Sequence, residues 1–393
     1  MTVSGTPGTG TITLGSAVSM FQTFAAAGVL NGQLVSYIIE DGINWEIGQG
    51  TYGSSGTTLA RTTISASSAS GAAISATSSA TVYLDALAAD VQGVTVPSGR
   101  LSLASGVPYS ATNTSGSTVY FTPYRGTHAP YWDGSNWVSG EFTELSQALS
   151  DATLSPAAAA VSSVYDIFLW KKNGIPVISR GPAWTTPASN RGSGAGTTDL
   201  QIVQGFWCNA HAITNGPAAG YGLYLGSIAT WSDGVCYQIW GSAASGGSCA
   251  WLGVWNNFNR IMSCPIVTDN GASYTYTSGT CRQARGSTQN AIWFLQGLSE
   301  DGIEVTYTAW VNFVAVAGAN IYCGWAVDST TGMACDLLFQ AYTTFAGGND
   351  GVCSMRLPSY YGQHYISANE QGDGSHANTL CGRPHVLSML IRT

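Results

Sequence analysis

The chain has 393 residues, enough for two or three domains. It carries 13 Lys+Arg and 21 Asp+Glu, 9% charged residues against roughly 25% in an ordinary soluble domain, with 11% aromatic residues and 49 glycines. Low charge with many aromatics speaks against disorder, and a net charge of −8 with the adjacent pair Lys171 and Lys172 as the only lysines speaks against a basic nucleic-acid-binding surface.

Residues 1–92 read as a small β-rich unit with one helix. Thr9 to Leu14 alternates as a half-buried strand does, and Ser16 stands as an N-cap before Val18, Phe21 and Phe24 on one helical face. Gly28 sits where a helix would end, and Asn31-Gly32 marks a turn into a strand from Leu34 to Glu40. Asp41-Gly42 turns into Trp45-Glu46-Ile47, and Thr57 to Ile64 and Thr81 to Ala86 supply further strands. Gly48-x-Gly50-x-x-Gly53 matches the dinucleotide fingerprint as a string, but Thr57, Thr58, Thr62 and Thr63 follow where that fingerprint needs a helix, so a glycine-rich β-turn is expected.

Residues 93–161 read as a connecting module. Arg100 to Leu103 and Thr118 to Pro123 are expected strands, and Tyr131 to Trp137 an aromatic hairpin. Phe142, Leu145 and Leu149 recur at helical spacing, and Ser155 to Ala160 reads as a linker. Residues 162–393 read as a large all-β domain. Its strands are expected at Tyr165 to Lys171, Ile202 to Trp207, Tyr221 to Leu225, Cys236 to Trp240, Ala291 to Leu295, Val305 to Val314 and Ile321 to Val327. The fold class is therefore mainly β: a small N-terminal β domain, a short β module with one helix, and a C-terminal antiparallel sandwich or jelly roll.

All nine cysteines lie in the last of these segments: Cys208, Cys236, Cys249, Cys264, Cys281, Cys323, Cys335, Cys353 and Cys381. None forms a C-x-x-C pair, and the odd number leaves at least one unpaired within the chain. No Lys or Arg precedes Arg61, so no Sec-type signal is expected; synthesis in a reducing cytoplasm favours buried thiols, with disulfides formed after release as the alternative. Cys208-x-x-His211 and Cys381-x-x-x-His385 would make a zinc shell only if the fold joined them, and neither metal nor cofactor is expected. No apolar run approaches the roughly 20 residues of a bilayer span, so no membrane insertion is expected.

Catalytic signatures are absent: no nucleophile elbow, zincin motif, P-loop or EF-hand loop occurs. Asp373, Ser375 and His376 form a triad only on paper. Cleavage of a glycan would need two carboxyls about 5–9.5 Å apart. The candidates are Asp233, Glu300, Asp301, Glu304, Asp328, Asp336, Asp350, Glu370 and Asp373. Non-catalytic glycan contact fits the dense aromatic cluster better, with Trp231, Tyr237, Trp240, Trp251 and Trp255 as candidate contacts; the competing reading places such rings in cores and interfaces.

The N-terminal segment resembles a module of virion structural proteins from tailed bacteriophages and related gene-transfer particles. The resemblance rests on Gly8-Thr-Gly-Thr-Ile-Thr-Leu-Gly15, Phe24-Ala-Ala-Ala-Gly28, Tyr37-Ile-Ile-Glu-Asp-Gly42, Asn44-Trp-Glu-Ile-Gly48, Gly50-Thr-Tyr52 and Leu59-Ala-Arg61. Gly99-Arg-Leu-Ser-Leu103, Tyr120-Phe-Thr-Pro-Tyr124 and Trp132-Asp-Gly-Ser135 resemble a second such module. Tyr165 to Trp170, Arg180 to Trp184 and Trp255 to Arg260 resemble the distal region. The resemblance implies a fibre or spike of the tail, neck or head, without enzymatic activity, built as a homo-oligomer such as a trimer and bound to portal, neck, capsid or tail proteins. Residues 1–92, with Trp45, Glu46, Tyr52 and Arg61, would anchor it, and the distal domain would meet host-surface polysaccharide. A head or neck decoration protein is the alternative, and a polysaccharide-cleaving spike enzyme the next.

Overall fold

The computed structural model describes residues 1–55, 57–85, 96–312, 318–340, 348–380 and 382–393. The chain divides into two compact units, Met1–Gly93 and Val94–Thr393. Among the described residues the structure is almost entirely β, and its helical content is one 3₁₀ turn, Ala284–Gly286.

The first unit is a five-stranded antiparallel sheet in the order Ile12–Thr13, Thr58–Ser67, Asn44–Gly53, Leu34–Asp41, Thr81–Leu84. Tyr37, Ile39, Tyr52, Leu59 and Val82 fill its core together with Ile12, Phe24 and Ile74. The helix expected after Ser16 does not form. Residues 16–28 run as successive turns; Phe24 alone of the apolar face is buried, while Met20 is 100% and Phe21 61% exposed. An isolated amphipathic helix needs a surface to cover, and this segment offers only one ring to the core. The glycines of the fingerprint-like string lie inside strand Asn44–Gly53 rather than in a turn. A Cβ on Gly50 would stand 2.6 Å from the Ala60 carbonyl oxygen and 2.9 Å from Leu59, so the glycines permit close strand approach.

In the second unit, strands Leu145–Ala148, Thr118–Pro123 and Gly99–Ser102 form one small sheet, and His128–Trp132 with Trp137–Glu141 forms the expected hairpin, with Trp132 opposite Trp137. The helix expected at Phe142 to Leu149 is instead strand Leu145–Ala148, paired with Thr118–Phe121. The same apolar residues satisfy an extended chain because Gln147 is also buried, and its amide donates to Ser155 Oγ at 2.7 Å. Ser155, expected in a linker, is fully buried, and the backbone of Ala157 accepts a hydrogen bond from Arg180. One core joins Leu101, Phe121, Trp137, Phe142 and Leu149 to Ile167, Leu169, Leu223 and Val254. Residues on both sides of position 161 thus share the same interior. The run expected as one strand from Ile202 to Trp207 is two, Leu200–Val203 and Phe206–Asn209, reversed at Gln204 and Gly205 with positive φ at both.

Two eight-stranded sheets make the sandwich. The first runs Cys335–Gln340, Asn320–Val327, Gly362–Gly372, Ala291–Gln296, Ala250–Leu252, Cys236–Ile239, Thr114–Gly116, with Arg282–Gln283 beside Gly362–Gly372. The second runs Ala243–Ala244, Ile266–Asp269, His385–Arg392, Ile303–Asn312, Asn378–Leu380, Tyr274–Tyr276, with Gly348–Leu357 on Ile303–Asn312 and Met262–Ser263 on His385–Arg392. Strand Ile303–Asn312 buries every second residue, placing Val305, Tyr307, Ala309 and Val311 against Ile292, Phe294, Ile321, Trp325 and Ile366 of the first sheet. Residues 313–314 and 86, expected in strands, lie outside the described residues, as does Cys381.

Candidate functional site

The outer face of the first eight-stranded sheet carries a row of aromatic rings. Trp251 faces Trp293 across parallel strands, and Trp293 faces Tyr365 across antiparallel ones. The Trp251 and Trp293 rings are parallel within 2° with centroids 4.8 Å apart, and Tyr365 follows at 4.6 Å. These rings spend their faces on one another, so the row is a pillar and not a flat platform.

Trp231 completes it. It sits in the tight turn between strands Leu223–Ala229 and Cys236–Ile239, where its N–H donates to Val235 O at 2.9 Å and Gly234 N–H returns a bond to Trp231 O. Its centroid is 3.8 Å from Trp251 and 5.2 Å from Trp293, at 63° and 65° to them. Trp231 thus lies beside the stacked pair, closer to Trp251 than to Trp293, and meets both rings at a steep angle. Trp231 is half-buried, so part of the side chain remains exposed. Next to it, exposed Asp233 accepts the Tyr237 hydroxyl at 2.5 Å and the Val235 N–H at 3.0 Å. Those two bonds hold the Asp233 carboxyl below its usual range, and the bond to Asp233 raises the Tyr237 phenol. The result is an aromatic surface bordered by a pre-oriented acceptor, a combination suited to a ring that offers C–H groups on one face and hydroxyls at its rim. At the other end of the row, Asp328 accepts Tyr365 N–H at 3.1 Å and pairs with His364 Nδ1 at 2.6 Å. Burial alone would lower the His364 pKa, but the bonds to Asp328 and to the Tyr361 carbonyl outweigh it and the value stands above 6.5.

Of the five glycan candidates, the fold joins Trp231, Trp251 and, through Asp233, Tyr237. Trp255 is fully buried between Tyr224 and Leu295, which leaves it no surface for a ligand. Trp240 packs separately, edge-on to Tyr109 at 6.0 Å. Sequence reasoning missed Trp293 and Tyr365. The run Ala291–Gln296 is buried at every residue but Trp293, so no alternation marked an outward ring there, and nothing local told which strands would be neighbours.

The four N-terminal candidates do different jobs. Glu46 is fully buried; it takes the Tyr37 hydroxyl at 2.7 Å, Ile74 N–H at 2.8 Å and Arg61 at 3.1 Å. Arg61 donates onward to the carbonyls of Gly8, Gly10 and Ile74, and so ties the N-terminal segment to the sheet. Tyr52 is a core residue, whereas Trp45 is 43% exposed beside Ile43 at the hairpin tip.

The carboxylates expected for glycan cleavage are mostly engaged. Arg260 holds both Glu300 and Asp301, Arg356 holds Glu304, Arg383 holds Asp350, and Arg282 holds Glu370. Asp373 caps its own loop: it accepts the N–H groups of Asn320, Ser375 and His376, each at 2.8 Å, and His376 Nδ1 at 2.7 Å. That makes the Asp-Ser-His string a loop clasp in which Ser375 contributes its backbone.

Cys208 and His211 point to different partners, the Phe206 carbonyl and Asp199, and His385 is buried against Tyr307 and the Trp310 carbonyl. Among the described residues, no three His, Cys, Asp or Glu side chains converge as a metal shell would require. Cys208, Cys236, Cys323 and Cys353 are buried, Cys249, Cys281 and Cys335 half-buried, and Cys264 exposed. Burial pushes the thiols of Cys208 and Cys236 up to about 12 and that of Cys249 to about 11.

No family model matches the sequence, and no curated protein matches it. Among solved structures, two of exo-β-1,3-galactanase from Phanerochaete chrysosporium, each with β-1,3-galactotriose, align over 88% and 90% of this chain at 10% identity, with TM-scores of 0.15 and 0.14. The chain spans 62% of the first and 68% of the second. Likeness of that degree carries no argument about fold or activity.

Proposed function

We propose that the protein is a non-enzymatic structural component of a bacteriophage particle, a fibre or spike whose Val94–Thr393 unit adheres to a host-surface glycan through Trp231. The observation that carries the adhesive part is the Trp231 ring, braced edge-on by the Trp251–Trp293 stack beside the oriented Asp233 carboxylate. Bracing lowers the conformational cost of presenting an aromatic surface to a ligand. The particle assignment rests on the N-terminal motifs. Ile43 and Trp45, both exposed at one hairpin tip, give the Met1–Gly93 unit an apolar point that a particle partner would cover, which supports an anchoring role. The engaged carboxylates support binding without cleavage.

The test is binding of the full chain to an array of bacterial surface polysaccharides, with Trp231→Ala in parallel. Retention by at least one polysaccharide, lost at least tenfold in the variant with the product uncleaved, supports the reading. Equal retention by both proteins, or release of shortened oligosaccharides, overturns it. Electron microscopy of particles labelled with an antibody to residues 162–393 tests the placement: label on a projecting appendage supports a fibre, and label spread flat over the shell overturns it.

A further inference from the structure

Cys335 and Cys353 occupy the edge strands of the two opposed sheets, Cys335–Gln340 in the first and Gly348–Leu357 in the second. Cys335 is paired in register with Trp325, and Cys353 with Tyr307, so both side chains belong to the interior that the sheets share. The Cys353 thiol donates to the Cys335 carbonyl at 3.7 Å, which places the two residues side by side across the interior. Among the described residues, their two strands pair within different sheets, Cys335–Gln340 with Asn320–Val327 and Gly348–Leu357 with Ile303–Asn312.

We propose that Cys335 and Cys353 form a disulfide that staples the two sheets of the sandwich once the chain meets an oxidising disulfide. The accessible partner is half-buried Cys335. Its thiolate attacks a sulfur of a small disulfide such as glutathione disulfide, forming a mixed disulfide and releasing one glutathione thiolate. Cys353, whose thiol burial pushes up to about 12, gives its proton to the departing thiol as its sulfur attacks Cys335 and expels the second glutathione. Two protein thiols lose two electrons and two protons, and one glutathione disulfide becomes two glutathione thiols. The staple ties strands that separate when the sandwich opens, so it restrains the unfolded chain and stabilises the folded one.

The experiment uses the full chain, purified under reductant, then incubated natively with glutathione disulfide, alkylated and digested without reduction for mass spectrometry. The expected result is one cross-linked peptide pair joining Cys335 to Cys353, two hydrogens lighter than the sum, while Cys208 and Cys236 stay as thiols that alkylate only after unfolding. The melting temperature should rise by several degrees on oxidation and return with dithiothreitol. Cys335→Ser should abolish that rise. Persistence of both thiols, capture by glutathione alone, a link to Cys323 or Cys381, or an undiminished rise in Cys335→Ser would overturn the proposal. Peptide mapping of the unaltered chain decides the matter even if a variant fails to fold.

Discussion

Arg191 grips Asp166 with two parallel hydrogen bonds, Nε to Oδ2 at 2.6 Å and Nη2 to Oδ1 at 3.1 Å, and neither side chain has more than 6% of its surface exposed. Asp166 also takes the hydroxyls of Thr198 and Ser227, at 2.9 and 2.6 Å. Arg191 reaches the Tyr361 hydroxyl and the Gly297 carbonyl, both at 2.6 Å, and lies over the Trp184 ring. Asp166 raises the pKa of Arg191 against the opposing effect of burial, so the guanidinium stays charged. The pair ties strand Val164–Lys172, which carries Asp166 and pairs with Ile175–Ala183 and Leu223–Ala229, to Gly297 and Tyr361 beside strands Ala291–Gln296 and Gly362–Gly372.

Removing one partner therefore leaves a buried charge unpaired. Arg191→Met should cost about 3–5 kcal/mol of unfolding free energy, and Asp166→Asn combined with Arg191→Met should recover part of it. Denaturant unfolding followed by tryptophan fluorescence measures this. A single-variant loss under about 1 kcal/mol would show that the pair is dispensable.

The pillar and its capping ring separate stability from binding. Trp293→Ala removes the brace and should lower both polysaccharide binding and melting temperature. Trp231→Ala should lose the binding with a smaller thermal change, because Trp231 sits in a turn at the end of the row, whereas Trp293, equally half-buried, is stacked between Trp251 and Tyr365 in the sheet. Trp255→Ala empties a fully buried site and should cost about 3–5 kcal/mol. Equal thermal losses in all three variants would contradict the placement of Trp231 at the surface.

Glycine placement inside strand Asn44–Gly53 makes a sharp prediction. Gly50→Ala should destabilise the Met1–Gly93 unit by about 1–3 kcal/mol, since the new methyl meets the Ala60 carbonyl and the Leu59 side chain. Gly42→Ala acts through its positive φ instead, with no atom within 4 Å of the added Cβ, and should cost about 1 kcal/mol. Hydrogen exchange in the 34–67 sheet distinguishes the two.

The loop clasp at Asp373 sets an acid limit. Burial would raise its pKa, but the N–H groups of Asn320, His376 and Ser375 and the His376 ring outweigh this and hold it well below the usual carboxylate range. A carboxylate with a depressed folded pKa contributes stability that is complete above its unfolded value of about 3.9 and is lost as pH falls through the folded value. Unfolding free energy should therefore start to drop below about pH 4 and go on dropping as pH falls toward the folded value, and Asp373→Asn should flatten that part of the drop. An unchanged profile in the variant would reject the clasp.

Local patterns carried much of the architecture. Strand Ile303–Asn312 alternates one residue in and one out, and Thr118–Pro123 and the hairpin around Trp132 and Trp137 were legible because a period of two is written in neighbouring residues. Phe142, Leu145 and Leu149 fitted a helix equally well; pairing of Leu145–Ala148 with Thr118–Phe121 decided otherwise. Asp166 went unremarked among the apolar residues of Val164 to Leu169, and its partner Arg191 lies 25 positions away, outside any local pattern. The motif residues Glu46 and Arg61 were visible, yet only the folded sheet turns them inward as a brace for the N-terminal segment. The aromatic pillar draws on residues 231, 251, 293 and 365, and the cysteine pair on the edges of two different sheets. Composition and alternation set which residues face inward, because that depends on each strand alone. Which strands become neighbours depends on contacts between distant segments, and only the tertiary structure brings those residues together.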